Sequence, residues 1–230
     1  MNTQLETLFA THKKIALQFS GGRDSLAMLL LLRAHWSKLT VYFCDSGDIF
    51  PETARLVKEV AGLVPNFVRV AGVPQTQLPS DVLTTKELLP QLYGTSFIQA
   101  REECCAKTLM EPMHRQMLAD GITLIFRGQR SSDFPQAYSG TVDGRTVFFP
   151  VFSWSAEDVE EYIQSAGFKV PRYYSEGMTS APDCMHCTAW LEHGAVRYLT
   201  KFYPKTARIV RERLIRIHAL ISPSFELLGA

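Results

Sequence analysis

The chain has 230 residues, of which 46% are hydrophobic and 20% charged, and its formal net charge is +1. That balance describes an ordinary globular protein with one good core and room for an appendage, and it carries no global sign of nucleic-acid or membrane binding. The start, Met1-Asn2-Thr3-Gln4-Leu5-Glu6, lacks a basic-then-apolar leader, and the run Leu26 to Leu32 is far too short to span a bilayer. A cytoplasmic location with no membrane partner is expected, where the five cysteines read as metal ligands or reactive thiols rather than disulfides.

In chain order, residues 15–20 read as a strand that runs into Ser20-Gly21-Gly22-Arg23-Asp24-Ser25 and then a long apolar helix over 24–37. Two glycines let the backbone approach an anion, and the unpaired amides of the first helical turn carry the positive end of the helix dipole. Ser20 and Ser25 add hydroxyls and Arg23 adds charge, so phosphates are expected here. Residues 39–44 read as a second strand and 52–63 as a helix with Pro51 at its first position. Residues 66–70 form a third predicted strand. The stretch from Pro74 to Gln99 is weakly patterned and suits a lid or a short helical insertion. A helix over 105–119 precedes a fourth strand at 122–126, a hairpin turns at Asp143-Gly144, and Ser155 caps another helix. This alternation predicts an α/β fold, a doubly wound and mainly parallel sheet with ligands at the carboxyl ends of its strands, plus a C-terminal cysteine-containing appendage. The expected division is 1–152 for the nucleotide-binding domain and 153–230 for a helical segment.

Three further constellations carry chemistry. Asp45-Ser46-Gly47-Asp48-Ile49-Phe50-Pro51-Glu52-Thr53 ends the second strand, where Asp45 and Gly47 suit a ribose, an adenine or a magnesium ion, or form only a βα turn. Arg127-Gly128-Gln129-Arg130 follows the fourth strand, and two guanidiniums on such a turn suit phosphate or sulfate oxygens. Cys104-Cys105 and Cys184-Met185-His186-Cys187 bring together four soft ligands, which fit either zinc or an iron–sulfur cluster. Cys44, beside Asp45, is either a sulfur carrier or a buried strand cysteine. Arg208, Arg211 and Arg213 lie on a basic C-terminal helix that suits a nucleic-acid backbone, an acidic partner or plain solvation.

These motifs resemble the phosphoadenosine-phosphosulfate reductase family of the PP-loop superfamily, from about residue 15 to residue 190. The loop at Ser20 looks like the Ser-Gly-Gly-x-Asp-Ser of the PP-loop ATP pyrophosphatases, and the Asp45 segment resembles Asp-Thr-Gly-x-x-Phe-Pro-Glu-Thr. The resemblance implies that Ser20, Gly21, Gly22, Asp24, Ser25, Asp45, Gly47, Arg127, Gln129 and Arg130 bind nucleotide, with Asp24, Arg23 and Asp45 catalytic. It also implies a [4Fe-4S] cluster on Cys104, Cys105, Cys184 and Cys187, with Lys107 and Pro112-Met113 as approximate counterparts of the residues that follow the cysteine pair in adenylylsulfate reductases.

Two departures shape the expected activity. The reductases of this family attack sulfur with a cysteine near the C-terminus, and the segment Thr188 to Ala230 holds none; they also usually carry a degenerate phosphate loop, and this one is intact. The expectation is therefore an ATP pyrophosphatase with ATP, Mg²⁺ and a [4Fe-4S] cluster, closest in type to the Dnd and Ssp systems of DNA phosphorothioation. A cysteine desulfurase would supply sulfur to a nucleic acid, DNA before tRNA, and a homodimer is compatible with that role. The alternatives are a sulfonucleotide reductase using an external thiol and a non-catalytic nucleotide-binding partner of a desulfurase.

Overall fold

Each predicted βα unit of the first half forms, and together they place three loops on one edge of a sheet. The computed structural model describes residues 2–73, 82–84, 96–98, 100–133, 139–180 and 182–227. Strands β1 (Ile15–Gln18), β2 (Leu39–Asp45), β3 (Phe67–Ala71), β6 (Leu124–Arg127), β7 (Gly140–Val142) and β8 (Arg145–Phe148) build a six-stranded sheet in the order β3-β2-β1-β6-β8-β7. All pairings are parallel except β7 with β8, and the short strands β4 (Val82–Thr84) and β5 (Ser96–Ile98) pair separately. The remainder of the stretch from Pro74 to Gln99, expected to be a lid or insertion, lies outside the described residues.

Central β1 is buried along its whole length, which is why its residues are apolar without alternation. Its register sets Gln18 beside both Tyr42 and Arg127, so the loops after β1, β2 and β6 open at the same edge. On one face Leu17, Phe43 and Phe126 pack against α2 (Arg23–Leu31) and α3 (Pro51–Leu63). On the other, Ala16, Tyr42 and Ile125 meet Met113 and Met117.

Local chemistry accounts for the boundaries. The helix expected over 24–37 stops at Leu31 and continues as a 3₁₀ segment, Arg33–Lys38, because the Trp36 indole donates to the Leu29 carbonyl at 2.8 Å and caps the freed end. The helix expected over 105–119 begins earlier: α4 (Arg101–Cys105) runs through a π turn at Ala106–Met110 into α5 (Glu111–Ala119). Asp143 (φ 49°) and Gly144 (φ 73°) are both left-handed, as a two-residue hairpin turn requires. Ser155 and Asp158 cap α6 (Ala156–Ser165) reciprocally, at 3.0 and 2.8 Å.

The C-terminal helices α7 (Arg172–Ser175), α8 (Ala195–Phe202) and α9 (Pro204–Leu227) pack through Tyr173, Met178, Tyr198 and Leu199 onto Phe50. Beside this cluster the buried carboxylate of Glu52 accepts hydrogen bonds from Tyr198 (2.6 Å), Tyr203 (2.6 Å) and Arg172 (2.8 Å). No helix among the described residues is long and apolar enough to cross a membrane.

Candidate nucleotide and cysteine site

At the carboxyl edge of the sheet lies a cavity of about 460 Å³. Ser20, Gly22, Asp24 and Ser25 line one side, Arg127, Gln129 and Arg130 another, and Cys44, Cys104, Cys105, Cys184 and Cys187 open on the same space. The sequence motifs thus converge on one cavity. Gly21, Arg23, Asp45 and Gly47 are not among its described lining residues.

The loop after β1 is shaped from within. Gly21 takes φ +78°, and a Cβ there would come within 2.6 Å of Thr53 Cγ2, so only glycine fits between β1 and α3. The Ser25 hydroxyl donates to the Gly22 carbonyl at 3.0 Å and accepts from the Ser20 amide at 3.2 Å, which fixes the first turn of α2, where Gly22, Asp24 and Ser25 line the cavity. Ser20 Oγ lies 3.1 Å from Ser25 Oγ.

Arg23 turns the other way. Its guanidinium donates to Glu160 on α6 at 2.5 Å and to the Thr179 carbonyl at 3.2 Å, and it covers the Tyr174 ring at 4.8 Å. The loop's own cation is therefore committed to holding α6 and the segment near Thr179. Asp45 likewise pairs with Arg69 and accepts the Gly47 amide at 2.9 Å, the latter with Gly47 at φ +76°.

The charge that does face the cavity comes from the loop after β6. Arg130 Nε stands 2.8 Å from Asp24 Oδ1, yet neither atom has an aligned hydrogen bond, and Asp133 lies 3.2 Å from the same guanidinium. Burial raises the Asp24 carboxyl above its ordinary value, while Arg130 opposes that shift. The Arg127 side chain has no ion pair or hydrogen bond among the described residues, and desolvation lowers its pKa. A half-buried guanidinium without a carboxylate is a ready partner for an anionic ligand. Arg127→Ala should weaken AMP binding about 10- to 100-fold, the effect of one charge-assisted hydrogen bond, without lowering the melting temperature; calorimetry and thermal unfolding read the two quantities. Unchanged AMP affinity would remove Arg127 from the site.

The thiols sit in a desolvated wall. Burial pushes Cys105 and Cys184 up to about 12 and Cys44 up to about 11. Cys104 Sγ lies 3.9 Å from Thr108 Oγ1 within the π turn. Among the described residues no three His, Cys, Asp or Glu side chains are gathered tightly enough for a single metal ion.

Gly128 of the arginine motif packs closely: a Cβ there would fall 2.8 Å from Ser25 N and Cα, so the arginine loop rests directly on the first turn of α2. Several other lining residues carried no motif. The Tyr174 hydroxyl accepts the Arg23 amide at 3.3 Å, and Tyr173 reaches Thr53 at 3.2 Å. Arg101 stacks on Trp190 at 4.1 Å, and the buried Trp190 Nε1 has no hydrogen-bond partner among the described residues. Asp183 is open to the cavity yet surrounded by protein atoms, and that desolvation raises its carboxyl against the opposing pull of Arg101. The glycine in Arg127-Gly128 was a visible signal for close approach; the aromatic residues had none.

The family described as "Phosphoadenosine phosphosulfate reductase domain" matches residues 14–190. An adenosine 5'-phosphosulfate reductase of Neisseria meningitidis is 22% identical over 200 residues, covering 84% of this chain and 80% of its own. A phosphoadenosine 5'-phosphosulfate reductase of Enterobacter sp. is 27% identical over 192 residues, covering 82% and 76%. A solved phosphoadenylyl-sulfate reductase from Candida auris, in a phosphate complex, shares the fold with a TM-score of 0.59 at 18% identity, over 78% of this chain and 85% of that one. These findings overturn the ATP pyrophosphatase expectation, because relatives named as reductases match over most of the chain. Within the loop, Arg23, expected to be catalytic, is held by Glu160 and does not line the cavity.

Proposed function

Because the chain belongs to the phosphoadenosine phosphosulfate reductase family, we propose that it is a sulfonucleotide reductase that works with an external thiol. The observation that supports this most is the single cavity shared by the anion-binding loop, Arg127 and Arg130, and the cysteine-bearing wall. A sulfonucleotide asks for those features together: amides and guanidiniums for its phosphate and sulfonate, and a low-dielectric pocket around the sulfur.

In this reading the Ser20–Ser25 loop at the start of α2 binds the nucleotide's phosphate, and Arg127 and Arg130 balance the charge that grows on the phosphate oxygen as it leaves. An attacking thiolate forms an S–S bond to the sulfonate sulfur while the S–O bond to phosphate breaks, and the nucleoside monophosphate departs. A second thiol then displaces sulfite, so two thiols are oxidised to one disulfide as the sulfur is reduced. Both steps are assigned here to an added thiol.

This reading keeps a [4Fe-4S] cluster as part of the proposal, because Cys104, Cys105, Cys184 and Cys187 line one cavity and are the four thiols that would hold it. Such a cluster would supply a polarisable charged centre and would tie α4 to the Cys184–Cys187 loop. The thiols' raised pKa values mean that loading releases protons.

The test is anaerobic sulfite release from adenylylsulfate and from its 3'-phosphorylated form with dithiothreitol or thioredoxin and no ATP. The expected result is equal amounts of sulfite and nucleoside monophosphate, with about four irons per chain. Pyrophosphate release from ATP with no sulfite from either substrate would overturn the reductase reading.

A further inference from the structure

The Cys184–Cys187 loop belongs to the C-terminal half of the chain, yet its polar groups are held by the segment that follows β2. The Asp48 carbonyl accepts the Met185 amide at 2.7 Å. The Asp48 carboxylate accepts the His186 amide at 3.0 Å on one oxygen and the His186 ring Nδ1–H at 2.7 Å on the other. Ser46, fully buried, accepts the Asp48 amide at 3.3 Å and donates to the Asp183 carbonyl at 3.5 Å. From the opposite side Arg213 of α9 donates to the His186 carbonyl at 2.5 Å. The residues between the two cysteines are thus gripped from both flanks, and the cysteines are left facing the cavity.

We infer that Asp48 is a positioning residue that fixes Cys184 and Cys187 relative to the bound nucleotide. Its segment is continuous with the wall of the anion site: Phe50 anchors the C-terminal cluster, and Thr53 fills the space that Gly21 leaves open. One short stretch of chain therefore sets the distance between the nucleotide loop and the thiols. Asp48 itself is not among the described residues lining the cavity, so it acts through the loop rather than on the substrate. His186, between the two cysteines, is the handle by which the loop is held, and its ring is oriented by the carboxylate.

The inference deepens the reductase reading, and its test separates the two. Asp48→Ala and Asp48→Asn are compared with the parent chain for AMP binding, for N-ethylmaleimide modification of each cysteine as read by mass spectrometry, and for steady-state sulfite release. Asp48→Ala should leave AMP affinity within about threefold and raise the modification rates of Cys184 and Cys187 about 10-fold or more, with Cys44 as an unchanged internal reference. It should lower kcat for sulfite release about 10- to 100-fold at nearly constant KM. Asp48→Asn, which keeps an acceptor for one of the two His186 groups, should fall between. Arg213→Met removes the other side of the grip and should move the same two cysteines, which keeps the test open if Asp48→Ala folds poorly. Unchanged modification of Cys184 and Cys187 in folded variants overturns the positioning role. Absence of sulfite release in the parent chain overturns only the reductase reading.

Discussion

Replacing Gly128 with alanine is expected to abolish measurable nucleotide binding while the sheet stays folded. The new Cβ would lie 2.8 Å from Ser25 N and Cα and 2.9 Å from Asp24 C, all backbone atoms of the turn that lines the cavity. Backbone cannot rotate away as a flexible side chain can, so the loop carrying Arg127 and Arg130 must lift off α2. Overpacking of this kind costs about 1–3 kcal/mol, and a displacement of about 1 Å in positioned groups removes about 100-fold in function. Gly62→Ala is the matched control, because nothing lies within 4 Å of a Cβ there. In the last turn of α3 that change should alter stability by less than about 1 kcal/mol and leave AMP binding intact. A Gly128→Ala protein that binds AMP like its parent would show that the two loops need not touch.

Glu52→Ala should produce the largest loss of stability in the chain. The Glu52 side chain is 2% exposed and serves two tyrosine hydroxyls and the Arg172 guanidinium. Removing one partner from a buried charged network costs about 3–5 kcal/mol, which for a chain of this size lowers the melting temperature by about 6–20 °C. The pH dependence follows from the carboxyl's shift. Burial raises it, but the Tyr198 and Tyr203 hydroxyls and Arg172 outweigh burial and hold it below its ordinary 4.5. The ionised group therefore stabilises the fold above the unfolded carboxylate's pKa, and that contribution is lost as pH falls through the lower folded value. Glu52→Gln should remove this acid-dependent step from the unfolding curve. Coincident acid profiles for the parent and Glu52→Gln chains would show that the network contributes no linkage.

The parts of the fold that local chemistry decides could be read directly. The apolar runs gave the parallel strands, Pro51 the first turn of α3, Asp143-Gly144 the hairpin and Ser155 a capped helix. The loop at the candidate anion site was legible because a glycine pair between strand and helix has few other uses. What escaped was direction. Arg23 reads as a phosphate ligand by spacing, and only the tertiary fold brings Glu160 within 2.5 Å to turn it away. Asp45 meets Arg69 for the same reason: neighbouring parallel strands set their pairing, which no motif encodes. The expected activity failed at a related point. A Ser-Gly-Gly loop specifies an anion, and a sulfonucleotide satisfies it as well as ATP does.

The π turn after Cys104-Cys105 has a consequence of its own. A π turn holds one residue more than an α turn over the same rise, so Ala106–Met110 acts as a phase shifter between the cysteine pair and α5. Met113 and Met117 are fixed by the core, whereas the cysteine pair is set by the rotation stored upstream of them. Deleting a single residue from this turn would leave a good α-helix, a full methionine contact and a pair of thiols rotated by about 100°. The address of the cysteines in the cavity is thus written in a helical irregularity rather than in the cysteines themselves.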